Sequence, residues 1–162
     1  MSEEREVLSW EEFGTASRAL AEAIDADGYR PDAILTIARG GLLIGGALAY
    51  ALGCKPCHLV NVEYYTGVGE TRPAPIVLPP ALDLDAARDA RVLVADDVAD
   101  TGHTLALVDQ LARGAVAEVR TAVLYEKPTS VVSCDYVWRR TDGWIDFPWS
   151  SGAALVAPSA GA

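Results

Sequence analysis

Asp96 and Asp97, adjacent carboxylates with a third at Asp100, close the apolar run Val92-Leu93-Val94-Ala95 and lead into Thr101-Gly102-His103-Thr104. Carboxylates accept hydrogen bonds from vicinal hydroxyls in bidentate fashion, and they are hard oxygen ligands for a cation that also bridges phosphate oxygens. The Thr-Gly-His-Thr turn opens a helix, whose first backbone N–H groups have no intrahelical partner and can cradle an anion. Three carboxylates beside a phosphate would repel it unless a sugar diol and a magnesium ion intervene. The pattern therefore suits a phosphorylated sugar better than a nucleoside triphosphate. A GxxxxGK[ST] loop and a GxGxxG turn after a strand are both absent from the chain.

A second constellation is Ile34-Leu35-Thr36-Ile37-Ala38-Arg39-Gly40-Gly41, a buried strand running into a glycine pair and then a helix. Glycine lets backbone come close to an anion, and a guanidinium is always charged and forks onto phosphate oxygens. A third comprises Tyr125-Glu126-Lys127-Pro128, ending a buried strand over Val119 to Leu124, and Gly143-Trp144-Ile145-Asp146-Phe147-Pro148-Trp149.

The segment DDVADTGHT at 96–104 resembles the phosphoribosyl pyrophosphate signature of type I phosphoribosyltransferases, and residues 34–41 resemble the pyrophosphate loop of that family. Lys127-Pro128 with Trp144-Ile145 and Pro148-Trp149 resembles the xanthine-guanine branch. The resemblance covers roughly residues 30–150 and is weakest at 64–90. It implies transfer of the 5-phosphoribosyl group from phosphoribosyl pyrophosphate to N9 of a 6-oxopurine (hypoxanthine, guanine or xanthine), with release of pyrophosphate. Asp96 and Asp97 would hold the ribose hydroxyls, Asp97 touching Mg2+ directly or through water. Thr101, Gly102, His103 and Thr104 would hold the 5-phosphate. Ala38, Arg39 and the Gly40-Gly41 backbone would face the leaving pyrophosphate across a cis Ala38–Arg39 peptide. Ala38 stands where the relatives often carry Ser, so one hydroxyl contact is missing. Asp100 would accept the purine N7 proton, its alternative role being a helix N-cap for Thr104. Lys127 would donate to the 6-oxo group, Trp144 would supply a flat surface, and Ile145 would offer its backbone to the base edge. Trp144 and Trp149 read equally well as core or interface anchors. Two rival functions stay open: transfer to another base, or a non-catalytic regulator that senses phosphoribosyl pyrophosphate.

Composition agrees with that class. At 162 residues and 51% hydrophobic, the chain suits one domain over 1–162 with a substantial core. Its 13 Lys plus Arg against 23 Asp plus Glu give a net charge of −10, which opposes nucleic-acid or anionic-membrane partners. An anionic substrate must then be met locally, by magnesium and backbone N–H groups. The start lacks the basic and apolar regions of a signal peptide and no apolar run reaches membrane-spanning length, so a cytoplasmic protein is expected. Cys54, Cys57 and Cys134 are expected to be reduced, and Cys54-Lys55-Pro56-Cys57 reads as an ordinary turn rather than a zinc or redox site. A homodimer is the family expectation and the commonest symmetric assembly.

The elements that must position these groups follow from period and punctuation. Ser9 with Glu12 makes a capping box, and Phe13, Ala16, Leu20, Ala23 and Ile24 recur at helical spacing, predicting a helix from Trp10 to Ala26. Strands are expected at 33–38, 57–63, 92–95, 117–124 and 134–139, and helices at 42–52 and 102–113. The segment 64–90, with Gly67, Gly69 and a proline-rich stretch at 73–80, is by resemblance a flexible hood over the site. Met1 to Val7 and Ala153 to Ala162 are expected to be loose. The order predicts an α/β fold, a doubly wound, mostly parallel sheet covered on both faces, with the C-terminal segment 125–150 capping its ligand edge as the base-binding part.

Overall fold

The computed structural model describes residues 5–65, 74–77 and 85–156. The elements run β1 (Arg5–Val7), α1 (Trp10–Ala26), β2 (Ala33–Ala38), α2 (Gly41–Ala51), β3 (Cys57–Tyr65), β4 (Ala74–Val77), β5 (Arg91–Ala99), α3 (His103–Arg113), β6 (Glu118–Glu126), β7 (Tyr136–Arg140) and β8 (Trp144–Asp146). A short 3-10 turn at Asp85–Ala87 precedes β5.

The main sheet has the order β4-β3-β2-β5-β6-β7, parallel throughout except for β4, which runs antiparallel to β3. From β2 the chain winds one way to β3, and from β5 it winds the other way to β6 and β7. The boundary between β2 and β5 is therefore the switch point at which α/β sheets bind ligands beyond the strand ends.

Apolar residues on both sides of the central strands β2, β5 and β6 explain the unalternating runs in the sequence. Ile34, Leu93, Ala95, Ala122 and Leu124 pack under α1 and α2, while Leu35, Ile37, Val92, Val94 and Val123 pack under α3. Helix α1 begins as the capping box predicts: Ser9 Oγ accepts from Glu12 N–H at 3.1 Å, and the Glu12 carboxylate accepts from Ser9 N–H at 3.1 Å. Its buried stripe is Ala16, Ser17, Leu20, Ala21 and Ile24, so Ala21 takes the place expected of Ala23. At about 100° per residue Ala23 lies roughly 90° off the centre of that stripe.

Two other expectations change. Arg5–Val7, expected to be loose, is a strand paired in parallel with β8, which was not anticipated as a strand. Strand β5 continues past Ala95 to Ala99, carrying Asp96 and Asp97 inside it. Most of the expected hood falls outside the described residues; its described parts are the end of β3, strand β4 and the 3-10 turn. Among the described residues no helix is long and apolar enough to cross a membrane.

Candidate active site

Strands β2 and β5 stay in register only as far as Thr36 opposite Ala95. Beyond that point β2 ends at Ala38 and the chain turns into α2, whereas β5 runs on, paired with β6 through Asp96, Val98 and Ala99. The separation leaves one edge of β5 open where the acidic pair sits. A cavity of about 250 Å³ fills this fork, lined by Ala38, Arg39 and Gly40 from one side and Asp96, Asp97 and Asp100 from the other. Thr101, Gly102 and Thr104 complete its floor. Gly41 and His103 do not line it: Gly41 is buried behind the loop and His103 is exposed on the first turn of α3.

The loop after β2 closes tightly on β5. The Ala38–Arg39 peptide bond is cis, as the resemblance implies. A Cβ on Gly40 would overlap the Asp97 carboxylate, and one on Gly41 would meet the Ala95 carbonyl oxygen at 2.6 Å. The glycine pair thus serves contact with β5 in addition to any approach of an anion. Gly102 at the start of α3 adopts φ 78°, a left-handed conformation that glycine takes without a steric penalty. A Cβ there would also strike Ser130 and Val132, so the phosphate-type turn is packed against the loop that follows β6. Val131 N–H donates to Thr101 O at 2.8 Å and Thr129 Oγ1 donates to Asp100 O at 3.1 Å, tying the two loops together.

The acidic pair is short of protein cations. Asp97 N–H donates to Asp96 Oδ1 at 2.9 Å and Val98 N–H to Asp97 Oδ1 at 2.8 Å. Burial, reinforced by the neighbouring charge of Asp97, holds the Asp96 carboxyl well above the usual carboxylate range. Burial raises Asp97 too, against opposing hydrogen bonds from its own neighbourhood. A desolvated carboxylate pair of this kind is relieved by a cation or by hydroxyl donors.

Beside the fork lies a second group. Asp100 is the first residue after β5 and Lys127 the first after β6, and because Ala99 pairs with Glu126 the two emerge side by side. Lys127 Nζ lies 3.5 Å from Asp100 Oδ1, with the lysine largely sheltered and the aspartate exposed. The same ammonium stands 5.9 Å from the centre of the Trp144 ring. Trp144 is 57% exposed while Ile145 is buried, so the indole presents an open face next to the ammonium. Position Ncap of α3 belongs to Gly102, not Asp100.

Trp149 resolves differently from either earlier reading alone. It stacks on Phe147 at 4.9 Å and contacts Trp10 and Phe13, yet it also reaches the Arg39 loop. With Arg39, Gly40, Leu43, Asp97, Phe147 and Ser150 it lines a second cavity of about 440 Å³ on the other side of the Arg39 loop.

The chain matches the family described as "Phosphoribosyl transferase domain" over residues 4–154. It is 30% identical to the xanthine-guanine phosphoribosyltransferase of Gluconobacter oxydans (strain 621H), covering 93% of this chain and 88% of the relative. It is 31% identical to the enzyme of the same name from Ruegeria sp. (strain TM1040), covering 95% and 90%. Among solved structures, the purine phosphoribosyltransferase from Pyrococcus horikoshii is 35% identical and superposes with a TM-score of 0.81, covering 94% of this chain and 99% of that one.

Proposed function

The chain belongs to the phosphoribosyl transferase domain family, and on that premise we propose that it transfers the 5-phosphoribosyl group of phosphoribosyl pyrophosphate to N9 of a 6-oxopurine, releasing pyrophosphate in purine salvage. The observation that carries this reading is the continuity of the two half-sites. One unbroken edge runs from the Arg39 loop through the Asp96–Asp97 pair to Asp100, Lys127 and Trp144.

In the reaction the C1′–oxygen bond to pyrophosphate breaks, the C1′–N9 bond forms, and the purine loses a proton. Positive charge grows on the ribose and negative charge on the leaving group, so the protein must meet both with groups already in place. Asp96 and Asp97 hold the ribose hydroxyls, exchanging a poorly solvated pair of carboxylates for one with donors. Arg39 and the backbone of Ala38 and Gly40 receive the pyrophosphate, with Gly41 packing the loop onto β5. Thr101 and Thr104 with the N–H groups of Gly102 and His103 hold the 5-phosphate at the N-terminus of α3, where the helix dipole favours an anion. Asp100 takes the N7 proton of the purine. Lys127 donates to the 6-oxo group, Trp144 covers the ring, and Ile145 reads the base edge with its backbone.

Mg2+ fits the donor set. Magnesium is typically held by one or two carboxylates together with substrate phosphates, and Asp97, backed by Asp96, offers oxygen donors that burial leaves in need of a cation. When bound, the ion neutralises charge on the departing pyrophosphate as a Lewis acid. The protein works in the cytoplasm as a homodimer of single-domain chains, with residues 125–150 as the base-binding segment, and engages neither nucleic acid nor membrane.

The experiment is direct. Incubated with Mg2+, phosphoribosyl pyrophosphate and hypoxanthine, guanine or xanthine in turn, the protein should release pyrophosphate with at least one base. No release with any of the three overturns the proposal.

A further inference from the structure

Strand β8 carries Trp144 and Ile145 but lies outside the main sheet, and among the described residues its only strand partner is β1. Arg5 pairs with Trp144, Glu6 with Ile145 and Val7 with Asp146. Leu8 N–H donates to Asp146 O at 3.0 Å, so Asp146 turns its backbone groups toward β1. Alternation along a strand then directs the N–H and C=O of Ile145 to the opposite edge, which no described strand occupies.

The side chains extend the same coupling. Arg5 forks onto Asp146, Nε to Oδ2 at 2.9 Å and Nη2 to Oδ1 at 2.8 Å. Trp144 and Asp146, two residues apart, share one face of β8, and the Trp144 ring faces the Lys127 ammonium. Glu6 pairs with Arg139 of β7, whose guanidinium lies 4.2 Å over Trp138, so β1 is itself pinned to the main sheet. We infer that β1 is a positioning strand for base recognition, in which Arg5, acting through Asp146, sets the orientation of the Trp144 ring and the free backbone edge of Ile145. The inference rests on the base-binding reading of Trp144 and Ile145 given above. Arg5 is 61% exposed in its side chain, and exposed ion pairs add little to global stability. The bidentate fork is instead a device of geometry, because a planar guanidinium fixes the Asp146 carboxylate and with it the register of β8, on which Trp144 and Ile145 lie.

The test is a kinetic cycle on the full chain. Arg5→Ala should raise KM for the 6-oxopurine about fivefold, the scale of one exposed bidentate pair, while KM for phosphoribosyl pyrophosphate changes less than about twofold. Arg5→Lys, which keeps the charge without the fork, should fall between the two. On an Asp146→Ala background Arg5→Ala should add nothing, since the arginine acts through that carboxylate. Amide hydrogen exchange at Trp144–Asp146 should quicken in Arg5→Ala. An unchanged base KM, or equal increases for base and donor, overturns the inference and leaves the enzymatic reading intact. Wild-type protein that neither binds nor turns over any of the three bases overturns both.

Discussion

The ammonium of Lys127 sits 3.5 Å from the carboxylate of Asp100 because two parallel strands end in register one residue earlier, Ala99 opposite Glu126. A residue proposed to accept a proton from the imidazole ring of a purine is thereby set beside one proposed to donate to its six-membered ring. Replacing Asp100 with Asn should lower kcat about a hundredfold, the usual contribution of a positioned general base, with little change in donor binding. Lys127→Ala should instead raise the base KM by about tenfold or more, the value of a hydrogen bond to a charged donor. Steady-state kinetics with each substrate varied separates the two, and near-normal turnover of Asp100→Asn removes it from catalysis.

Gly40 and Gly14 make a matched pair. A methyl group at Gly40 falls on the Asp97 carboxylate, whereas at Gly14 in α1 it meets nothing within 4 Å. Gly14→Ala should stabilise the protein by up to about 1 kcal/mol through helix propensity. Gly40→Ala should weaken phosphoribosyl pyrophosphate binding by about tenfold, since the Asp97 carboxylate proposed to hold the sugar must move. Calorimetric titration and thermal unfolding of both variants check this.

Tyr125 is fully buried between Trp138 and Phe147, and its hydroxyl has no hydrogen-bond partner among the described residues. Burial pushes its ionisation up to about 12, the mark of a phenol held away from water. Tyr125→Phe keeps both edge-on ring contacts and removes an unpaired polar atom. It should therefore be neutral or stabilising by about 1 kcal/mol, read as an unchanged or higher midpoint in urea.

Acid sensitivity should localise at the other end of the β2–β5 pair. Asp32 accepts from the Arg91 guanidinium and backbone N–H at 2.9 to 3.0 Å, and these hydrogen bonds hold its carboxyl down to about 2. A carboxyl lower in the folded than in the unfolded chain stabilises the fold above its unfolded pKa, near about 4, and loses that contribution as pH falls toward the folded value. Asp32→Asn should thus be less stable than wild type at pH 7, and the two should converge as pH falls from about 4 to about 2. A constant gap in the unfolding midpoint across that window contradicts the assignment.

Local chemistry made part of this architecture readable. Ser9 and Glu12 start α1 where a capping box starts a helix, and the β-branched runs at 33–38 and 92–95 are strands. The Asp96–Thr104 segment and the Arg39 loop were each legible by residue type, and the parallel pairing of β2 with β5 brings them to one cavity. Other features depend on partners far along the chain. Two aspartates are poor strand formers, so only pairing with β6 carries β5 through Asp96 and Asp97 to Ala99. Three-residue strands have no period to detect, and β1 and β8 exist because each is the other's neighbour. The choice of Ala21 over Ala23 was set by the direction from which the sheet approaches α1.

The pairing of Arg5 with Trp144 also has a consequence in time. The ladders joining β2, β3, β5 and β6 link residues of modest sequence separation, whereas the ladder between β1 and β8 spans almost the whole described chain. Loop closure of that length is slow compared with local pairing. During synthesis the first strand has no β8 to pair with until residue 146 has emerged, so the surface proposed to select the acceptor is the last to be completed.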